Sequence, residues 1–154
     1  MNPYAAPNSM LEAPLSSGRV TAVLIGAAVG NGVSYAVLFL SGLIFLWVLT
    51  TQGVPIQELY WRAYQSTPYL AFARALGFLC LVPGGYWSAR LSITKPLLTA
   101  VLAGCLVTAF SLSTNLLPYE LPIPLWSRIV SIVSSVPAFC LGALWWQRAT
   151  SLKP

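Results

Sequence analysis

The chain lacks histidine and aspartate altogether, and its only carboxylates among 154 residues are Glu12, Glu58 and Glu120. The commonest general base and metal ligand is therefore missing. Paired catalytic carboxylates, an HExxH helix, a phosphate-cradling glycine loop and a GxSxG nucleophile elbow are also absent from the sequence. A serine or cysteine nucleophile would find no partner base to activate it. The sequence thus predicts no catalytic residue, no metal site, no cofactor and no enzymatic activity.

Charge of either sign is scarce. Asp, Glu, Lys and Arg make up 7% of the chain, against ~25% in ordinary soluble domains. So few charges cannot clothe a soluble domain of this length, whereas lipid as the outer solvent removes the need for them. Hydrophobic residues reach 57% and collect into four stretches, at about 20–50, 69–89, 97–117 and 125–147. Each is near or above the ~20 residues that a helix needs to cross ~30 Å of hydrocarbon. The expected fold is all-α: a polytopic membrane protein with four transmembrane helices in an antiparallel bundle. Residues 1–18 carry three prolines and little apolar periodicity, and read as a disordered cytoplasmic tail; 151–154 form a second short tail. The apolar run after Arg19 is about twice the ~7–15 residues of a signal-peptide core, so the first span is expected to stay in the mature chain.

The net charge of +5 comes from cations scattered singly, with no basic stripe for nucleic acid. They act instead as topology signals. Arg19, Arg90, Lys95, Arg148 and Lys153 flank the spans on one side, Arg62 and Arg128 on the other, and Arg74 lies inside the second span. The positive-inside rule then places both termini in the cytoplasm. Trp47, Trp61 and Trp126 fall at the outer boundary of this arrangement, and Trp87, Trp145 and Trp146 at the inner one. Tryptophan belts of this kind mark the headgroup level.

Within the spans the polar content is small and neutral. In the first, Ala22, Gly26, Gly30 and Ser34 recur every four residues, and Gly42 continues the row. Ala100, Gly104 and Thr108 repeat the spacing in the third span. The fourth carries Ser131, Ser135, Ala138 and Gly142, with Ser134 beside that row. Small rows let helix backbones approach closely where lipid removes the hydrophobic drive between them. Gly26, Gly30, Ser34, Gly104 and Gly142 are therefore the packing candidates, and the row on the first span would serve either internal packing or a partner. Asn31, one residue off that row, and Ser134 are candidate solute contacts, since an amide in hydrocarbon needs a hydrogen-bonding partner. Pro137 leaves the carbonyl near Val133 without its usual donor. Cys80, Cys105 and Cys140 lie one in each of the last three spans, without a CxxC pair, and read as small apolar packing residues.

The stretch between the first two spans is also patterned. Ile56, Leu59, Tyr60 and Ala63 stand at helical spacing after Pro55, and Glu58 and Arg62 form an i, i+4 pair in the favourable order. This predicts a short helix on the outer membrane surface. Arg74, about two turns beyond Pro68, is expected to snorkel outward or pair with Glu120. In the functional reading, Arg74, Arg128 and Tyr119 would hold an anion or a lipid headgroup.

The tail Asn2-Pro3-Tyr4-Ala5-Ala6-Pro7 and the segment Gly84-Gly85-Tyr86-Trp87-Ser88-Ala89-Arg90, followed by Lys95-Pro96, resemble those of small, uncharacterised four-span bacterial inner-membrane proteins. The resemblance implies the topology and a bacterial setting and carries no activity. Small four-span multidrug exporters are of comparable size, but they carry a glutamate in the first span where this chain offers Asn31, Ser34 and Ser41. Two functional expectations follow: an accessory or interaction subunit working through helix contacts, with a second copy or another membrane protein as partner, and a small transporter or channel without proton coupling.

Overall fold

The computed structural model of the protein describes residues 17–92, 94–116 and 123–151. Most of the expected tails, Glu12, Tyr119, Glu120 and Lys153, and hence any pairing of Arg74 with Glu120, lie outside the described residues. The described elements are all helical: α1 (Ser17–Thr51), a single 3-10 turn (Ile56–Glu58), α2 (Leu59–Gln65), α3 (Thr67–Leu91), α4 (Pro96–Leu116), α5 (Leu125–Val133) and α6 (Ser135–Ser151). Four stretches are long and apolar enough to cross a membrane: Gly18–Thr51, Thr67–Leu91, Pro96–Thr114, and Leu125–Ser151, which joins α5 to α6. The chain is an integral, multi-pass membrane protein.

Helix ends follow from local chemistry. At ~1.5 Å per residue, the 35 residues of α1 extend ~52 Å and must tilt or project beyond the hydrocarbon. It stops where Gly53 takes φ 79°, with Gly53 N–H bonded to Thr50 O at 3.0 Å and Val54 N–H to Leu49 O at 3.2 Å. This is the left-handed stop for which glycine is the least strained residue. The second span opens at Thr67, before the expected 69, because the Ser66 hydroxyl accepts from the Tyr69 N–H at 3.4 Å and Pro68 sits in the first turn. In the tight turn from α3 to α4, Ser92 Oγ donates to Thr94 O at 2.7 Å and lies 2.8 Å from Thr99 Oγ1. Arg19 Nη2 donates to Thr94 Oγ1 at 2.8 Å, holding the start of α1 to this turn.

The short helix expected after the first span is present, and its faces divide differently from the sequence pattern. Leu59 and Ala63 are buried, while Ile56, Tyr60 and Trp61 are exposed. Phe45 of α1 stacks on Tyr69 of α3 at 4.1 Å between ring centroids.

In the bundle, α3 lies against both α1 and α6, and α4 packs on α1, α3 and α6. The core is built largely of alanine: Ala27, Ala89, Ala100, Ala103, Ala138 and Ala143, with Leu81, Val107 and Phe139. Large side chains such as Phe39, Ile44, Leu79 and Leu125 are exposed, as a lipid-facing surface requires. Phe139 is the largest fully buried side chain, and it is surrounded by glycines. A Cβ added at Gly30, Gly84 or Gly104 would meet its side chain at 2.9, 2.8 and 3.3 Å, and one at Gly85 would meet its backbone. Gly26 lies against Gly84 and Ser88, and Gly142 against Val82 and Tyr86. With no side chain at these points, the backbones come close enough for dispersion and carbonyl contacts to hold α1, α3 and α6 together.

Candidate functional site

Between the α2 end of the bundle and its middle, the tight packing gives way to a half-enclosed cavity of ≈ 160 Å³. At ~30 Å³ per liquid water, that is room for about five waters. Asn31, Ser34 and Tyr35 line it from α1, Arg74 and Gly77 from α3, Ser111 and Thr114 from α4, and Ser131, Ser134 and Ser135 from the last span. The apolar part of the wall includes Leu38, Phe78, Leu81 and Val107.

The break in the fourth span places the serines. Pro137 has no N–H to give to Val133 O, and α5 and α6 separate at Ser134, whose N–H reaches back to Val130 O at 3.0 Å. Helical bonding resumes from Ala138 N–H to Ser134 O at 3.1 Å. A neighbouring hydroxyl does reach this region: Thr108 Oγ1 on α4 bonds Gly104 O at 2.9 Å and lies 3.5 Å from Ile132 O. Ser134 and Ser135 each bond to Ser131 O at 3.5 Å, and Ser131 to Arg128 O at 2.7 Å. These hydroxyls use their own helix for their protons and leave their lone pairs available.

Arg74 is turned inward. Its Nε donates to the hydroxyl of the fully buried Ser127 at 2.8 Å, and its two terminal nitrogens make no hydrogen bond among the described residues. No carboxylate lines the cavity among the described residues. The ion pair seen among the described residues is elsewhere, at 3.2 Å between Arg62 and Glu58 on the exposed face of α2. Asn31 and Ser34 likewise have no hydrogen-bonding partner among the described residues. Three polar groups on two helices therefore point into one space with nothing from the described protein to satisfy them.

The sequence-derived candidates separate accordingly. Gly26, Gly30, Gly104 and Gly142 sit at contacts between helices of this chain; Ser34 belongs to the cavity, 3.8 Å from where a Cβ on Gly77 would stand. Asn31, Ser134 and Arg74 meet in the cavity, whereas Arg128 does not line it and keeps a buried Nε without a partner among the described residues. The inward setting of Arg74 had a sequence signal. Leu70, Arg74, Gly77, Leu81, Gly84 and Ser88 recur at alternating spacings of four and three, and Leu70, Leu81, Gly84 and Ser88 of that row are buried. Arg74 thus rides the interior face of α3. Tyr35, Ser111, Thr114 and Ser127 were not singled out from sequence, and Ser135 was read only as part of the small packing row, because a hydroxyl in an apolar run does not declare which way it faces.

Among the described residues no cluster of His, Cys, Asp or Glu is placed to hold a metal ion. The three cysteines are free, Cys80 buried, Cys105 exposed and Cys140 half-buried. The site offers hydrogen-bond donors, acceptors and one cation. No family model matches the chain, and the searches of curated proteins and of solved structures likewise gave no match.

Proposed function

We propose that the protein is a non-enzymatic membrane protein that admits a small polar solute into the cavity beside Arg74, as a small transporter or channel without proton coupling. The observation that carries this reading is the convergence of Asn31, Ser34 and the Arg74 terminal nitrogens on one space, unpartnered among the described residues. Keeping a cation and an amide inside a membrane bundle is costly, and such groups characteristically face a solute path or a water-filled cavity. The proline break lining the same space fits the discontinuous helices that transporters place at their binding sites. On the positive-inside rule the cavity occupies the outer half of an inner-membrane protein with both termini in the cytoplasm.

The accessory-subunit reading relied on the small row of α1 as a surface for a partner. Gly26 and Gly30 are covered by Gly84, Ser88 and Phe139 of the same chain, so a second copy or another membrane protein would have to use a lipid-facing surface. The solute reading is tested by osmotic swelling of vesicles reconstituted with the purified protein, using glycerol, urea, glycine and acetate. Wild type is expected to admit at least one of them faster than protein-free vesicles, and Asn31→Leu to lose most of that excess. Swelling equal to protein-free vesicles for every solute refutes the reading.

A further inference from the structure

We infer that the group taken into this cavity is a small oxyanion, a carboxylate or a phosphate-type group, bound by the terminal nitrogens of Arg74; this rests on the solute reading above. A guanidinium stays charged at any accessible pH. Ser127 holds the Nε corner of Arg74 at 2.8 Å and so fixes the plane of the fork, leaving the edge formed by its two terminal nitrogens for a bidentate acceptor. Among the described residues, no lining side chain carries a compensating negative charge. A cationic ligand would add like charge, and a neutral one would leave the guanidinium uncompensated in a low-dielectric bundle.

The other unpartnered groups fit the same ligand. The Asn31 amide and the Ser34 hydroxyl can both donate, which suits an acceptor-only anion. Size limits the class: ≈ 160 Å³ lies below the ~300–1,000 Å³ of pockets for drug-sized molecules. Two sources present this chemistry, a small soluble carboxylate or inorganic phosphate, and the phosphodiester of a membrane lipid.

The test uses the full chain with Cys80, Cys105 and Cys140 replaced by alanine and Ser34→Cys introduced. The rate at which a membrane-impermeant maleimide modifies the new thiol is read at constant ionic strength. In lipid-free detergent micelles, acetate or inorganic phosphate is expected to slow modification at least tenfold, while urea does not. Arg74→Gln is expected to abolish the protection, and Arg74→Lys, which keeps the charge and loses the fork, to leave it weakened. Size-exclusion profiles identify variants that fold. If Arg74→Gln does not, Ser127→Ala takes its place, with weaker protection expected as the fork loses its support. Protection already present in phosphatidylglycerol vesicles without added anion, and lost in Arg74→Gln, supports the oxyanion site and assigns it to the lipid phosphodiester. Urea protecting as well as acetate, regardless of Arg74, overturns the oxyanion and leaves a polar-solute site standing. A thiol that never reacts in the folded protein overturns both readings.

Discussion

Alanine at Gly85 should be among the most damaging single-methyl additions to this bundle. Its Cβ would lie 2.6 Å from both the Phe139 carbonyl carbon and Cα, and closer still to the carbonyl oxygen, where ordinary contact begins at 3.4 Å. These are main-chain atoms, so no rotamer change relieves the overlap, and α3 and α6 must part by most of an ångström. A buried ring such as Phe139 makes on the order of 50 atom contacts of ~0.1 kcal/mol each, ~5 kcal/mol in all, and a gap of ~0.5–1 Å forfeits a quarter to a half of it. That is ~1–2.5 kcal/mol at this one side chain, within the ~1–3 kcal/mol usual for overpacked cores. Lipid offers no hydrophobic compensation, and the expected loss is ~2–3 kcal/mol. Gly32 provides the control, since nothing lies within 4 Å of a Cβ there and alanine improves helix propensity by up to ~1 kcal/mol. Titration from dodecyl maltoside into SDS, followed by tryptophan fluorescence, compares the two. If Gly85→Ala unfolds at the same SDS fraction as Gly32→Ala, the close α3–α6 contact is not what holds the bundle.

Pro137→Ala restores a donor for Val133 O and should stabilise the fourth span by about 1 kcal/mol, seen as slower hydrogen exchange around residue 137; unchanged exchange would mean the break has another cause. Lys95 holds φ 54°, a left-handed conformation costing ~1–2 kcal/mol for a residue with a side chain. Lys95→Gly should therefore match or exceed wild-type stability in the SDS titration, and Lys95→Val should fall below it. The Glu58–Arg62 pair has side chains 52% and 57% exposed, so Arg62→Ala should change stability by less than ~0.5 kcal/mol; a larger loss would point to a role for α2 beyond its surface position.

The spans were legible because their length and apolar content answer directly to bilayer thickness. The Glu58–Arg62 helix and the break near Pro137 were legible because each rests on residues three or four apart. Direction was harder to read. The row from Ala22 to Ser34 announces that something small is wanted on one face of α1, but only the placement of Gly84 and Ser88 opposite it decides that the neighbour is α3. Phe139 has no local signature; it is one phenylalanine in an apolar run, and its position depends on glycines supplied by three other helices. Arg74 shows the same limit. Its distance from Pro68 allowed a path to the headgroups, while its place in the row Leu70, Gly77, Leu81 and Gly84 set it inward.

The glycine-lined ring and the cavity are neighbours along every span. Asn31 follows directly on the cavity side of Gly30; Leu81 lies one turn from Gly84, Val107 one turn from Gly104, and Ser135 one turn from Phe139. Phe139 thus sits immediately beyond the floor of the cavity, between it and the end of the bundle that carries the α3–α4 turn. A solute entering beside Arg74, as proposed, would meet the ring before reaching that end. On the transport reading this makes Phe139 the closed part of the path, and Phe139→Ala should do two things at once. It should cost stability, ~3–5 kcal/mol by the measure of soluble cores, and it should raise solute leakage through reconstituted vesicles above that of wild type. Phe139→Leu, which keeps most of the volume, should restore stability and closure together. Swelling rates of the three proteins, measured at a temperature where each remains folded, decide the matter. A folded Phe139→Ala protein that leaks no faster than wild type would show that the floor of the cavity is closed by the backbones of α1, α3 and α6 rather than by the ring.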